Sequence, residues 1–249
     1  MLKTILGFFL LSSVGFGQDV SPEGLWSKGL GHYDRGEYQE AVQVFEELLV
    51  ADSKRGYVLY NLGNAYYKLG KNGDSLGAYL AAKRYLPRDP NLKANIDFVY
   101  KFTEDRLGLE SARPAWTKGF FWIDRLNLPE QLYLGSTVMG FAFLVFACGF
   151  WLKNQNLKVF GWFSGVCFTV ALLVFSGALV TTNFQEHWGA VSVPVTDVYS
   201  GKNTGTPVVF KLKEGAPVIV EREDSNWVNI RLSDGKKGWI PKATVKYYL

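Results

Sequence analysis

The sequence holds few of the residues from which a catalytic or metal site is built. Its two histidines, His32 and His187, lie far apart, and its two cysteines, Cys148 and Cys167, lie inside long apolar stretches. No group of His, Cys and Asp residues has the spacing of metal ligands, and no phosphate-binding P-loop occurs in the sequence. We therefore expect a binding protein and not an enzyme, with no catalytic residues, no metal and no cofactor.

Aromatic residues stand out in the sequence, and such residues commonly anchor the binding of another protein chain. One group combines rings and an apolar side chain with an amide and an ammonium group, which suits contact with a peptide backbone and a carboxylate: Trp26, Leu30, Tyr33, Tyr60, Asn64, Tyr67 and Lys68. A second group near the C-terminus consists of three rings: Tyr199, Trp227 and Trp239. For both groups, the alternative is that the rings only pack inside their own domain.

The first group belongs to an internal repeat with a period of about 34 residues, which is typical of tetratricopeptide (TPR) helix–turn–helix units. The matched pairs are Leu25 and Leu59, Gly29 and Gly63, Tyr33 and Tyr67, Gly36 and Gly70, and Phe45 and Tyr79. We predict an α-helical TPR solenoid over 18–111, closed by a third helix that begins at Asp89-Pro90. The first helix of each unit lines an inner face suited to a peptide or a partner helix. Two and a half repeats are near the minimum that buries a continuous core, so this domain is expected to need its membrane neighbour or a partner for full stability.

The N-terminus and the charge distribution both indicate export. Residues 1–17 combine Lys3 with a short apolar run and small residues before Gln18, which is typical of a signal peptide. The formal net charge of +4 arises largely from Lys3, Lys153 and Lys158, which flank apolar segments. A basic balance of this kind reflects membrane topology and does not indicate nucleic-acid binding.

Two later segments predict a transmembrane α-hairpin. Residues 132–152 and 159–182 carry no charge, and each is long enough to cross roughly 30 Å of hydrocarbon. The loop at 153–158 has two lysines and no acidic residue, so the positive-inside rule places it in the cytoplasm. We therefore expect a two-pass protein of the bacterial inner membrane, with its soluble domains in the periplasm. Gly161 and Gly165 fit a small-xxx-small pattern, which serves either packing within the hairpin or homo-oligomerisation.

Residues 112–131 join the helical repeats to the first membrane helix. Trp116, Phe120, Phe121 and Trp122 concentrate here beside basic residues. An aromatic amphipathic stretch next to a membrane helix is expected to lie in the plane of the membrane interface. A binding site for another membrane protein is the alternative.

The last part of the chain, 190–249, changes to short β-branched runs separated by Gly, Pro, Asn and Asp, which predicts a small all-β unit of five or six strands. Asp234-Gly235 indicates a hairpin. The run from Trp227 to Ile240 reads W-x-x-I-R-L-x-D-G-x-x-G-W-I and resembles the bacterial SH3 (SH3b) family. The resemblance implies an SH3-like barrel whose aromatic side chains bind peptides, cell-wall material or partner domains.

The order of all these segments resembles the BatE-like proteins of the bacterial aerotolerance (Bat) group. That resemblance implies a periplasm-facing complex with membrane proteins that carry von Willebrand factor A domains and with a MoxR-type ATPase, in oxygen or stress tolerance. We therefore expect a multidomain membrane scaffold whose TPR and SH3 domains bind partner proteins. The alternative is a cell-envelope sensor whose SH3 domain binds peptidoglycan or a peptide ligand.

Overall fold

The structure is a computed structural model, and it describes residues 21–50, 55–105, 107–109, 117, 119–151 and 157–248. The predicted signal peptide at 1–17 and most of the predicted loop at 153–158 lie outside these residues, as do Trp116 and parts of the segment before the first membrane helix. The described chain forms a helical domain (residues 22–105), a hairpin of two long apolar helices and a β domain (residues 187–248).

The helical domain consists of five helices, and the 34-residue register predicts their order. They are α1 (Pro22–Asp34), α2 (Tyr38–Val50), α3 (Arg55–Lys68), α4 (Asn72–Ala82) and α5 (Pro90–Tyr100). Ser21 caps α1, and Asp89 caps α5 by accepting bonds from the amides of Asn91 and Leu92, as expected where Pro follows the cap.

Glycines at matched positions let the paired helices of each repeat come into contact. A Cβ built on Gly63 would lie 2.5 Å from the ring of Tyr79, and one on Gly29 would lie 2.6 Å from the ring of Phe45. Phe45 and Tyr79 are buried as a result. The turns after α1 and α3 contain Gly36 and Gly70 at φ of 78° and 74°, a conformation that favours glycine. These contacts confirm the repeat register.

The apolar helices are α6 (Leu128–Trp151) and α7 (Leu157–Asn183), and both are long and apolar enough to span a membrane. Each extends beyond its predicted range. At the start of α6, the side chain of Asn127 accepts from the amide of Glu130, and Glu130 accepts from the amide of Asn127. This reciprocal capping places the polar residues Glu130 and Gln131, predicted to lie in the interfacial segment, in the first turns of the helix.

The two helices pack through some of their glycines and not through others. A Cβ on Gly149 would meet Phe160 at 2.6 Å, and one on Gly135 would meet Phe175 at 3.0 Å. Gly161 and Gly165 have no atom within 4 Å of such a Cβ, so they do not serve packing within this hairpin. Hairpin packing therefore does not explain this pair of glycines, and ordinary glycine usage in apolar helices and homo-oligomerisation stay as its two interpretations.

The β domain is a seven-stranded antiparallel sheet, so the predicted count of five or six strands is wrong. Its strands are β1 (His187–Val191), β2 (Val195–Tyr199), β3 (Val208–Lys213), β4 (Pro217–Glu223), β5 (Trp227–Arg231), β6 (Lys237–Pro241) and β7 (Val245–Tyr247), in the order β3-β2-β6-β5-β4-β1-β7. β1 begins before the predicted boundary at residue 190. Gly235, at φ of 89°, forms the turn between β5 and β6 that Asp234-Gly235 predicts.

The β domain packs directly on the helical domain. The backbones of Val191 and Lys246, in β1 and β7, lie against Gly73 and Gly77 of α4, where any larger side chain would overlap them. A second contact joins the end of α5 to β3, where the amide of Lys213 donates to Asp105 at 2.6 Å. Nine residues of α4 are buried. The neighbour that covers the repeats is thus the β domain, which the sequence did not indicate for this role.

Both domains are also joined to the same end of the helical hairpin. Arg88, after α4, forms an ion pair with Glu130 in the first turn of α6, and the side chain of Asn127 donates to the carbonyl of Tyr85 at 3.2 Å. On the other helix, β1 begins four residues after α7 ends at Asn183. The helical domain and the β domain therefore lie on one side of any membrane that the hairpin spans.

Part of the predicted interfacial segment packs on α7. Residues Phe121–Asp124 form a 3₁₀ turn whose Ile123 is buried, and the indole of Trp122 lies against Gly177. Phe121 points outward and is 69% exposed. Below this turn, the buried side chain of Gln131 donates to Thr181 of α7 at 3.1 Å.

Candidate functional site

The three rings near the C-terminus lie on one surface of the β domain and not in its core. Along β5 and β6, residues alternate between buried and half-buried, and the buried set includes Val228, Ile230 and Ile240. Trp227 and Trp239 occupy the half-buried positions. Gly238 helps to hold this arrangement, because a Cβ there would overlap Val198 of β2. The alternative that these tryptophans form the barrel core is therefore wrong.

The rings form part of a row that crosses four strands. Val208, Tyr199, Trp239 and Asn229 are successive partners in β3, β2, β6 and β5. Directly opposite residues in an antiparallel sheet place their side chains on the same face. Trp227 flanks the row, and its ring stands edge-on to Tyr199 with centroids 5.6 Å apart. We call these five residues the outer face of the β domain.

A lysine covers one end of the outer face. The ammonium of Lys202, in the loop between β2 and β3, lies 4.7 Å from the centroid of the Trp239 ring. The same ammonium is 2.7 Å from Asp224 Oδ2, in the loop between β4 and β5. The bond from Lys202, followed by that from the Ser225 amide, lowers the pKa of the Asp224 carboxyl. Both side chains are about half exposed, at 49% and 47%.

The predicted peptide-binding group of the helical domain lies on the side formed by α1, α3 and α5, which we call the inner face. At its centre is a polar network: Asn64 Oδ1 accepts from the hydroxyl of Tyr79 at 2.6 Å and from Asn95 Nδ2 at 3.1 Å. Asn95 also lies 3.4 Å from the hydroxyl of Tyr60. Asn64 is thus already engaged within the domain, and its amide holds α3, α4 and α5 together.

An aromatic strip on the inner face remains accessible. Tyr67 stands edge-on to Phe98 of α5 with centroids 5.7 Å apart, and Phe98 stands edge-on to Phe102 at 5.2 Å. Phe98 is 45% exposed and Phe102 is 60% exposed. Lys68 is exposed beside this strip. Apolar rings left open next to a flexible cation are what a peptide-binding surface requires.

The remaining predicted residues of the inner face are more deeply packed. Trp26 and Leu30 are partly buried against the core between α1 and α2, and Trp26 lies 6.1 Å from the ring of Phe45. Tyr33 stands edge-on to Tyr38, and burial raises the pKa of its hydroxyl. For Trp26 and Leu30, the observed contacts favour the packing alternative.

The junction of the two domains contains a charged network. Lys246 of β7 donates to Glu46 of α2 at 2.7 Å, and Glu46 also accepts from the hydroxyl of Tyr66 at 2.7 Å. Burial alone would raise the pKa of the Glu46 carboxyl, but the bonds from Lys246 and Tyr66 lower it overall. Burial, followed by the bond to Glu46, raises the pKa of Tyr66 to about 12. The Lys246 ammonium also lies over the rings of Tyr66 and Tyr248.

Two further polar contacts fix the start of the β domain. His187 Nδ1 lies 3.2 Å from the guanidinium of Arg84, which follows α4. Burial and the nearby Arg84 lower the pKa of His187, so its ring stays neutral and accepts this bond. Arg231 of β5 binds both Glu186 and Glu221. The other histidine, His32, lies 2.6 Å from Glu37 Oε2 at the turn after α1.

One motif associated with serine hydrolases occurs in α4 and has a structural explanation. Residues 73–77 read Gly-Asp-Ser-Leu-Gly and match the GxSxG pattern. Ser75 lies inside the helix with 0% exposure, and its hydroxyl donates to the carbonyl of Gly63 at 2.8 Å. The two glycines receive β1 and β7. The match therefore reflects packing on both sides of α4 and does not mark a nucleophile.

Sequence reasoning missed several residues of both faces. Asn95 and Phe98 were not assigned to the inner face, and Phe102, which contacts Phe98, lies in the turn after α5. Lys202 and Asp224 lie in separate loops, and no local pattern connects them. Among the described residues, no three His, Cys, Asp or Glu side chains come together as they would around a metal ion.

Comparison with known proteins agrees with the two domain types. Residues 194–246 match the family model of the bacterial SH3 domain. Residues 29–70 match the family model of the TPR repeat. No curated protein matches the chain. The chain thus contains a TPR repeat and a bacterial SH3 domain, two domain types that generally mediate binding, together with two helices able to span a membrane.

Proposed function

We propose that the protein is a scaffold of the bacterial inner membrane whose TPR and SH3 domains bind partner proteins on the periplasmic side. One observation carries the proposal. The two domains are joined back to back through α4, β1 and β7, and both are tied to one end of the apolar hairpin, while the inner face and the outer face stay accessible. Such an arrangement holds two recognition surfaces in fixed geometry.

The proposed role is binding and not catalysis. The histidines and Ser75 are engaged in structural contacts, and the residues that remain accessible on the two faces are rings with neighbouring lysines. Rings of this kind supply most of the energy at protein interfaces.

The resemblance to the BatE-like proteins suggests the setting. By that resemblance, the partners are membrane proteins with von Willebrand factor A domains, and the complex acts in aerotolerance or another stress response. Export by the signal peptide at 1–17 and the lysines of the loop at 153–158 support the periplasmic placement of both domains.

Capture of partners from solubilised membranes tests the proposal. The full chain is compared with an inner-face variant, Tyr67→Ala with Phe98→Ala, with an outer-face variant, Trp227→Ala, and with the control Glu40→Ala on the exposed side of α2. We expect the inner-face variant to lose specific membrane partners, because removing an accessible aromatic anchor commonly costs more than about 2 kcal/mol of binding. Equal partner recovery from all four folded proteins would contradict the proposal.

The second candidate function is a cell-envelope sensor, which the accessible aromatic row of the SH3 domain favours. Co-sedimentation of the purified full chain with isolated peptidoglycan separates the two functions. Binding that depends on Trp227 and Trp239, without capture of membrane proteins, would favour the sensor.

A further inference from the structure

The outer face of the β domain carries a bound cation from its own chain. The ammonium of Lys202 sits 4.7 Å from the centroid of Trp239, within the distance at which a cation is attracted to a ring face. Asp224 supplies the counter-charge at 2.7 Å. An aromatic ring with a carboxylate beside it is a set of groups that binds an ammonium ion, and here Lys202 takes that place.

This internal contact is easy to displace. Lys202 and Asp224 are each about half exposed, and exposed ion pairs and exposed cation–ring contacts are weak. Lys202 lies in the loop between β2 and β3, which is closed by backbone bonds from the Ser200 amide to the Pro207 carbonyl and from the Thr206 amide to the Asn203 carbonyl. The Lys202 side chain takes part in neither bond, so it can leave the ring without opening the loop. An incoming ammonium group would keep the ring and the carboxylate satisfied after Lys202 has left.

The row of side chains next to this site fits an extended chain. Val208, Tyr199, Trp239 and Asn229 cross four neighbouring strands, which spans roughly 14 Å at about 4.8 Å between strands. An extended peptide covers that distance with about four residues. Val208 is 46% exposed at the far end of the row, so an apolar side chain can bind there while an ammonium group binds over Trp239.

We infer that the outer face of the SH3 domain binds a lysine side chain of an extended segment in a partner protein, and that Lys202 occupies this site in the absence of the partner. This inference deepens the proposed function by naming the chemistry of one of its two surfaces. Lys202 competes with the ligand for the site. The apparent affinity for the ligand therefore equals the intrinsic affinity multiplied by the fraction of molecules in which Lys202 has left the site.

Binding of a capped trilysine amide to the purified full chain in nanodiscs tests the inference. The ¹⁹F signal of 5-fluorotryptophan at position 239, assigned with Trp239→Phe, reports binding at the site itself. We expect Lys202→Ala to bind the peptide roughly three- to tenfold more tightly than the unmodified chain. Adding Asp224→Asn to Lys202→Ala should abolish the gain, and a capped trinorleucine amide should show none.

A matched variant separates competition from net charge. Lys211→Ala removes the same charge from the neighbouring strand β3, where Lys211 pairs with Asp197 and not with the ring of Trp239. An equal gain in Lys202→Ala and Lys211→Ala, or no gain in either, would overturn the inference. A gain for isolated peptidoglycan without one for trilysine would overturn the assignment to a protein segment. These binding assays need no captured partner, so their outcome is independent of the test of the scaffold function.

Discussion

At the scale of single residues, the most consequential contact is the charged network between Lys246 and Glu46. Their two side chains come from positions 200 residues apart in the chain, and they join the last strand of the β domain to the second helix of the repeats. Lys246 keeps only 26% of its side chain exposed, so its ammonium depends on Glu46 and on the rings of Tyr66 and Tyr248. A network of this kind ties the domains in one relative orientation.

We predict that Lys246→Met lowers the free energy of unfolding of the joined domains by about 1–2 kcal/mol, because Glu46 loses its charged partner in a partly buried site. Thermal unfolding of the full chain in detergent, followed by near-ultraviolet circular dichroism, measures the effect. Lys236→Met is the control, since Lys236 pairs with Asp234 at 65% exposure and should not change the melting temperature. Equal melting curves for both variants would show that the network does not stabilise the junction.

The contact between His187 and Arg84 predicts a dependence on pH. The pKa of His187 is lowered by burial and by Arg84, so the unfolded chain takes up the proton at a higher pH than the folded chain. The stability that depends on a neutral His187 is therefore fully present above pH 6.5, the ordinary pKa of histidine. It falls as the pH drops from 6.5 through the lowered pKa of His187. The pKa of Glu46 is lowered too, so the stability from that carboxylate is lost only in a separate window below 4.5.

The measurement is the melting temperature between pH 8 and pH 5, compared with His187→Asn, which keeps an acceptor but does not titrate. We expect the unmodified chain to lose stability below about pH 6.5 and the variant to lose less over the same range. Parallel profiles would mean that His187 does not titrate at the junction.

The sequence predicts a residue of a binding surface where a local pattern marks it. Residues that come together only through the fold were not predicted. Tyr199, Trp227 and Trp239 were proposed as one binding surface by resemblance to the SH3b family, with packing in the core as the alternative. Lys202 and Asp224 were missed because they meet only when two loops fold toward each other. Asn64 was likewise predicted to face a ligand, but its side chain is bound by Asn95. Only the packing of α5 on α3 brings Asn95 beside Asn64.

At the scale of elements, α4 makes two interfaces at once. One side packs on α3 through Tyr79 and Ser75, and the other side receives β1 and β7 at Gly73 and Gly77. Because both sides are covered, α4 is buried almost throughout. A larger residue at Gly73 or Gly77 would overlap the strands that pack there. The contact between the domains therefore depends on the absence of two side chains.

We predict that Gly77→Leu separates the β domain from α4, since even a Cβ at this position would lie 2.5 Å from the carbonyl of Lys246. Hydrogen exchange of the amides in β7 and α4 should then rise well above that of the unmodified chain. The control is Gly31→Leu in α1, where a Cβ meets only the end of the Arg35 side chain at 3.3 Å. Unchanged exchange in Gly77→Leu would contradict the observed docking.

The 34-residue repeat predicted the helical elements well, because the glycine and ring of each helix pair recur, as in Gly29 with Phe45 and Gly63 with Tyr79. The two long apolar helices were also predicted, although the capping by Asn127 and Glu130 starts α6 earlier than an uncharged window does. Strand β1 was missed because it follows α7 closely and its residues do not alternate: the first two are half-buried and the last three are buried. The docking of β1 on α4 was missed because Gly73 and Gly77 carry no sign of their second partner.

At the scale of the whole molecule, a two-domain body is joined to one end of a hairpin of two helices that are long and apolar enough to span a membrane. Ion pairs and hydrogen bonds at the start of α6, together with the short connection from α7 to β1, leave little freedom between the body and the anchor. In the proposed scaffold, this body would be held close to the bilayer and would present its two faces to proteins in the same membrane.

Labelling of single cysteines with a membrane-impermeant reagent on intact cells tests this account most directly. In a chain with Cys148→Ser and Cys167→Ser, probes are placed at Glu40 in the helical domain, at Lys236 in the β domain and at Asn156 in the loop between the membrane helices. The account predicts labelling at positions 40 and 236 from outside, and labelling at position 156 only after the cells are opened. Labelling at 156 from outside, or labelling of 40 and 236 from opposite sides, would contradict it.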